Sequence, residues 1–158
     1  MIRSSYSFLT EPKDDLYRDL LALSLKECAY FQLVLRFDWS LNINGKKALE
    51  SLSPFLKGKL TVSEWPGTIL HGQTAQLLRF ILNKRSVQVL GELTSSLYSW
   101  VYPDLPEDLS LIREDDLPWL VTISHDTDSY LYLSEEEFHS LTRENPRFRI
   151  VLKQDEAS

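Results

Sequence analysis

The apolar positions of this chain change period twice. Leu16, Leu20 and Leu23 recur three and four residues apart, and Tyr17, Leu21 and Leu25 widen the stripe into a helix. Thr10-Glu11-Pro12 opens that helix, and Asp14 and Asp15 fall in its first turn, where negative charge complements the dipole. From Phe31 the spacing drops to two. Phe31, Leu33, Leu35 and Phe37 alternate with Gln32, Val34 and Arg36, which is the period of a strand. Asn44-Gly45 then reads as a helix N-cap, because Ala48, Leu49 and Leu52 follow at helical spacing; a hairpin turn is the other option. Pro54 ends or restarts that helix with Ser53 as the new cap, and Gly58 closes it.

Residues 59–64 read as a strand with Leu60 and Val62 inward, and Trp65-Pro66-Gly67-Thr68 as a turn with Trp65 plugged beneath it. Leu77, Leu78, Ile81 and Leu82 repeat at helical spacing up to Lys84 and Arg85, which suit a helix C-terminus. Val87, Leu90, Leu93, Leu97 and Trp100 form the clearest helical stripe, interrupted by Gly91.

Beyond Pro103 and Pro106 the pattern shortens. Four strand candidates follow at 109–113, 119–124, 129–133 and 148–152. Tight connections at 114–118 and 125–128 make a meander of the first three. Ser134 and Glu137 have the spacing of a capping box, with Phe138 and Leu141 inward on the helix it opens. The fold class this predicts is α+β: a helical N-terminal two-thirds packed with a mainly antiparallel sheet whose C-terminal part is a meander. A single domain is expected over 1–153, with a polar, disordered tail at 154–158 and disorder at 1–5.

Charge sharpens this outline in one place. Between Asp104 and Glu137 stand eleven acidic residues and one base, Arg113, in a chain whose whole net charge is −6. The remainder is therefore net positive, and the acidity is local. Asp104, Glu107 and Asp108 are assigned to a linker, Glu114 to Asp116 to one connection of the meander, Asp126 and Asp128 to the next, and Glu135 to Glu137 to a helix cap. Consecutive connections lie at opposite ends of a meander, so these clusters need not form one patch.

The chemistry excluded is extensive. Cys28 is the only cysteine, so a disulfide framework and a Cys-rich zinc site are ruled out, and its apolar neighbours read as core. No pair of the five glycines forms a phosphate-binding fingerprint. His71, His125 and His139 are far apart, and no Gly-x-Ser-x-Gly elbow exists. No cofactor, metal site or catalytic residue is assigned. Lys46-Lys47, Lys84-Arg85 and Arg147 with Arg149 are small basic spots read as solvated surface, and nucleic acid is a disfavoured partner. No apolar run reaches the ~20 residues of a membrane span, and no signal core follows Met1; a cytoplasmic protein is expected.

What remains is a surface. On the strand at 129–133, Leu131 and Leu133 are expected to face the core, together with Val121 and Ile123 of the preceding strand. Tyr130 and Tyr132 then stand outward beside Asp126, Asp128 and Glu135. Aromatic rings supply contact area and carboxylates steer a basic partner. The expectation is a non-enzymatic acidic protein-binding module, for which an inhibitor or immunity-type protein acting on a basic partner is one form. Its candidate contacts are Asp126, Asp128, Tyr130, Tyr132 and Glu135. Two alternatives stand beside it: a small hydrolase using His125 with Asp126 or Asp128, and a structural or oligomeric adaptor using the apolar stripe at 86–101.

Overall fold

The computed structural model describes residues 1–156. In it the chain builds one eight-stranded antiparallel sheet with all five helices on one face. The elements in chain order are β1 (Ser4–Phe8), α1 (Asp15–Glu27), β2 (Tyr30–Arg36), α2 (Ile43–Leu52), β3 (Leu56–Val62), β4 (Glu64–Trp65), β5 (Thr68–Ile69), β6 (Ala75–Ile81), α3 (Lys84–Leu93), β7 (Glu107–Ile112), β8 (Pro118–Ile123), β9 (Asp128–Leu133), α4 (Glu135–Glu144), α5 (Arg147–Val151) and β10 (Leu152–Gln154). The large sheet runs β10-β1-β9-β8-β7-β2-β6-β3, and β4 and β5 form a separate hairpin.

This overturns the expected division into a helical two-thirds and a β-rich third. Four strands of the large sheet, β1, β2, β3 and β6, come from the supposedly helical part, and two of the helices, α4 and α5, from the β-rich part. The decisive misreading is β6. Leu77, Leu78 and Ile81 carry helical spacing, but this strand is covered on both faces. Leu78 and Phe80 enter the main core, while Leu77 and Ala75 join a second cluster with Val34 and Trp65 on the other side. A strand buried on both faces loses its alternation, and its apolar run is then indistinguishable from a helix. Residues 148–152 were expected as a strand; most of them form α5, and β10 begins only at Leu152.

The register explains the main core. Tyr6, Leu131, Leu120, Leu111, Phe31, Phe80 and Leu56 are successive cross-strand partners, one residue from each of seven strands. This row lies under Leu16, Tyr17, Leu20 and Leu21 of α1, Leu52 of α2, Leu90 of α3 and Leu141 of α4. Each such side chain contributes roughly 1.5–3 kcal/mol by leaving water. Tyr17 Oη donates to the Leu90 carbonyl at 2.8 Å and accepts from Trp100 Nε1 at 3.1 Å, tying α1, α3 and the following segment together.

Because Leu120 pairs with Leu131, the expected inward pair Val121 and Ile123 cannot share the face of Leu131 and Leu133. Val121 and Ile123 face the opposite side, under the β4–β5 hairpin. An irregularity between β7 and β8 near Pro118 brings Trp119 into the main core with Leu120.

The hairpin turn is Pro66-Gly67, with Gly67 at φ +90°. Any Cβ there would stand 2.8 Å from Val121 Cγ1 and 2.9 Å from Ile123 Cγ1, so only glycine permits this approach. Trp65 is buried beneath it, as expected of a plug. At the termini, Ser4 and Ser5 belong to β1, Gln154 to β10, and the Asp155 amide donates to the Ser5 carbonyl. Residues 157–158 of the expected tail lie outside the described residues. No helix among the described residues is long and apolar enough to cross a membrane.

Candidate functional site

The expected contact residues separate into three places. Asp128, Tyr130 and Tyr132 alternate with buried Ser129, Leu131 and Leu133 along β9, so they share the face turned away from the helices. Asp126 ends a short turn of 3-10 helix, Ser124–Asp126, at the sheet end where β8 passes to β9, and it is exposed. Glu135 opens α4 on the helix side, 3.7 Å from His139, with its charge acting on Tyr6. The sheet therefore stands between Glu135 and the two tyrosines.

On the outward face, Tyr130 pairs with Ser7 and Tyr132 with Ser5. The hydroxyls of Ser5 and Ser7 both donate to Asp155 Oδ2, at 2.7 and 2.8 Å. Partial burial raises the Tyr130 hydroxyl above its ordinary pKa, and Asp128, Tyr132 and Asp155 raise it further. Asp155 thus joins Asp128 around Tyr130. Sequence spacing could not find it, because β10 and β9 are brought to either side of β1 only by the sheet. Lys153, opposite Ser7, is the one cation in these rows.

The other acids of the 104–137 stretch have mostly structural employment. Glu137 is held by Arg3, Arg113 and the Ser134 amide. Burial opposes its ionisation, but those donors outweigh it and hold the carboxyl at about 2. Asp116 pairs with Arg79 at 2.7 Å. Glu107 and Asp108, assigned to a linker from sequence, instead begin β7 and are buried.

Those two carboxylates organise the sheet end. Glu107 is 0% exposed and accepts from Arg36 Nε at 2.8 Å, while its other oxygen lies 2.6 Å from His125 Nε2. Asp108 takes a left-handed conformation, φ 56°. Its carboxylate accepts from the Ser124 amide and from Trp65 Nε1, both at 2.9 Å. Burial raises its pKa, against the lowering effect of those two hydrogen bonds. The Arg36 guanidinium lies 4.8 Å from the ring centre of Trp39 and 5.0 Å from that of Trp65. Trp39 also meets Tyr102 and His125 edge-on, each at 5.4 Å. The sequence signal for this cluster was present but unread: two adjacent acids at the start of an apolar strand are costly to bury unless partnered.

His125 is thus oriented by Glu107 and not by Asp126 or Asp128. It is half exposed, and it does not line the largest described cavity. That cavity, about 670 Å³, lies between α2, α3 and the segment before β7, and includes Lys47, Glu92, Tyr98 and Asp104. Among the described residues no group of three His, Cys, Asp or Glu side chains is arranged to hold a metal ion. Cys28 is partly buried, and burial pushes its thiol pKa up. Comparison with known proteins finds no matching family model, no matching curated protein and no matching solved structure.

Proposed function

We propose that the protein is a non-enzymatic acidic binding module that engages a basic protein surface through the outward face of β9. The observation that carries this reading is the juxtaposition of Tyr130 and Tyr132 with Asp128 and Asp155 on the sheet face that the helices leave uncovered. Tyrosines already half buried by their strand neighbours lose little side-chain freedom on contact, and the flanking acids favour cationic partners. Asp126, one turn away, extends the negative field. Glu135 lies on the helix side and takes no part in this contact. An inhibitor that covers a cationic site is one form such a module takes.

Hydrolysis by His125 with Asp126 or Asp128 has weaker support, because the hydrogen-bond partner of His125 is Glu107. The test of the binding reading is capture from a native lysate with the wild-type chain and with a D128N/Y130A/Y132A variant, at low and high salt. A basic protein held at low salt, released by high salt and lost by the variant is the expected result. Equal capture by the variant, or a captured partner that is acidic, refutes it.

A further inference from the structure

We infer that the loop after β2 carries the anchor of this binding surface, with Trp39, and Phe37 beside it, seated against a basic, partly apolar segment of another protein. The inference rests on the reading above and names where its contact energy concentrates.

Three observations converge on this loop. Phe37, Trp39 and Ile43 are 59%, 42% and 68% exposed, so three large apolar side chains within seven residues meet water. Exposed aromatics grouped this closely mark contact sites more often than scattered ones do.

Trp39 is, secondly, already positioned. Its ring is stacked by the Arg36 guanidinium and flanked edge-on by Tyr102 and His125. Arg36 is in turn fixed by fully buried Glu107, and its backbone amide donates to Tyr102 Oη at 3.1 Å. A ring held by three neighbours yet still 42% exposed presents contact area without the ordering cost of a free side chain.

The third observation is the charge around the loop. Asp38, Asp104 and Asp126 are exposed along its border, whereas the positive charge of Arg36 is matched by Glu107. On the α2 side the exposed cations are Lys46 and Lys47, so three acids stand against two bases around the loop. The border is net negative, so the complementary segment is cationic. A second copy of this chain, itself at −6, is a poor occupant. The turn from Ser124 to Asp128 joins this loop to the outward face of β9, because His125 touches Trp39 and Asp128 starts the strand of Tyr130.

The experiment uses the full chain, immobilised, and a phage-displayed library of random linear peptides as the probe. Enriched peptides are then titrated against wild type, W39A, F37S and Y130A/Y132A. F37S alters a residue with no bracing role, so it reports on contact if W39A loosens the loop; circular dichroism establishes that each variant is folded. The expected result is peptides rich in Lys and Arg with interspersed apolar residues, weakened about tenfold or more by both W39A and F37S, and released as salt rises to about 0.5 M. Binding unchanged in W39A and F37S but lost in Y130A/Y132A overturns this inference and leaves the β9 reading standing. Enrichment of peptides without excess positive charge, or of none, overturns both.

Discussion

Replacing Glu137 with Gln tests whether the acidic stretch is structural at its C-terminal end. The carboxylate accepts from Arg3 Nε at 3.1 Å, from Arg113 Nη1 at 2.7 Å and from the Ser134 amide at 2.9 Å. It thereby joins the N-terminus of α4 to the chain just before β1 and, through Arg113, to the Tyr132 carbonyl of β9. Its carboxyl is lowered from 4.5 to about 2. At about 1.4 kcal/mol per pH unit, that difference corresponds to ~3 kcal/mol. Arg3 and Glu137 each keep 16% of their side-chain surface in water, which reduces the expected loss to about 2 kcal/mol. The folded-state pKa is depressed, so the stabilisation is complete above 4.5 and disappears as pH falls through about 2. Urea unfolding of wild type and E137Q over that range measures it. The gap of about 2 kcal/mol near neutral pH should narrow below 4.5 and nearly close at 2. The raised pKa of Asp108 affects both proteins alike and cancels in the difference. A gap that is the same at both ends of the range, or below about 0.5 kcal/mol throughout, would refute the electrostatic account of this residue.

Other substitutions probe the sheet end and its cover. Glu107→Ala leaves Arg36 without its buried partner and should cost about 3–5 kcal/mol; with Arg36 released, the Trp39 emission should shift toward that of a solvated indole, and an unaltered spectrum with full stability would contradict the bracing described above. Gly67→Ala places a Cβ 2.8 Å from Val121 Cγ1 at φ +90° and should cost about 1–3 kcal/mol, with amide exchange quickening in the β4–β5 hairpin before the rest of the sheet. Leu120→Ala, in the middle of the cross-strand row, should lower unfolding free energy by about 2–5 kcal/mol in a denaturant titration, since its side chain is fully buried; a loss under about 1 kcal/mol would argue against the register given for β8.

What could be read from sequence alone was whatever local physics determines. The stripe of α1, the strand β2, the alternation of β9, the plug of Trp65 and the capping box of Ser134 with Glu137 each depend on residues within a few positions, and each is present; on β2, though, Gln32 and Val34 are buried along with Phe31 and Leu33. The outward set Asp128, Tyr130 and Tyr132 was legible for the same reason, since alternation along one strand assigns faces without reference to any neighbour.

Tertiary structure decided everything that depends on which strands meet. It made β6 a strand, because the β4–β5 hairpin covers the face that would otherwise have been polar. It turned Val121 and Ile123 outward, because Leu120 had to meet Leu131 across the sheet. Asp155 reached Tyr130 through β1, and Glu135 was carried to the far side of the sheet from both tyrosines. It also took Glu107 and Asp108 out of a supposed linker and buried them, where Arg36, His125, Trp65 and the Ser124 amide supply the partners that burial of a carboxylate requires. Those partners come from three separate parts of the chain, and only the assembled sheet brings them together.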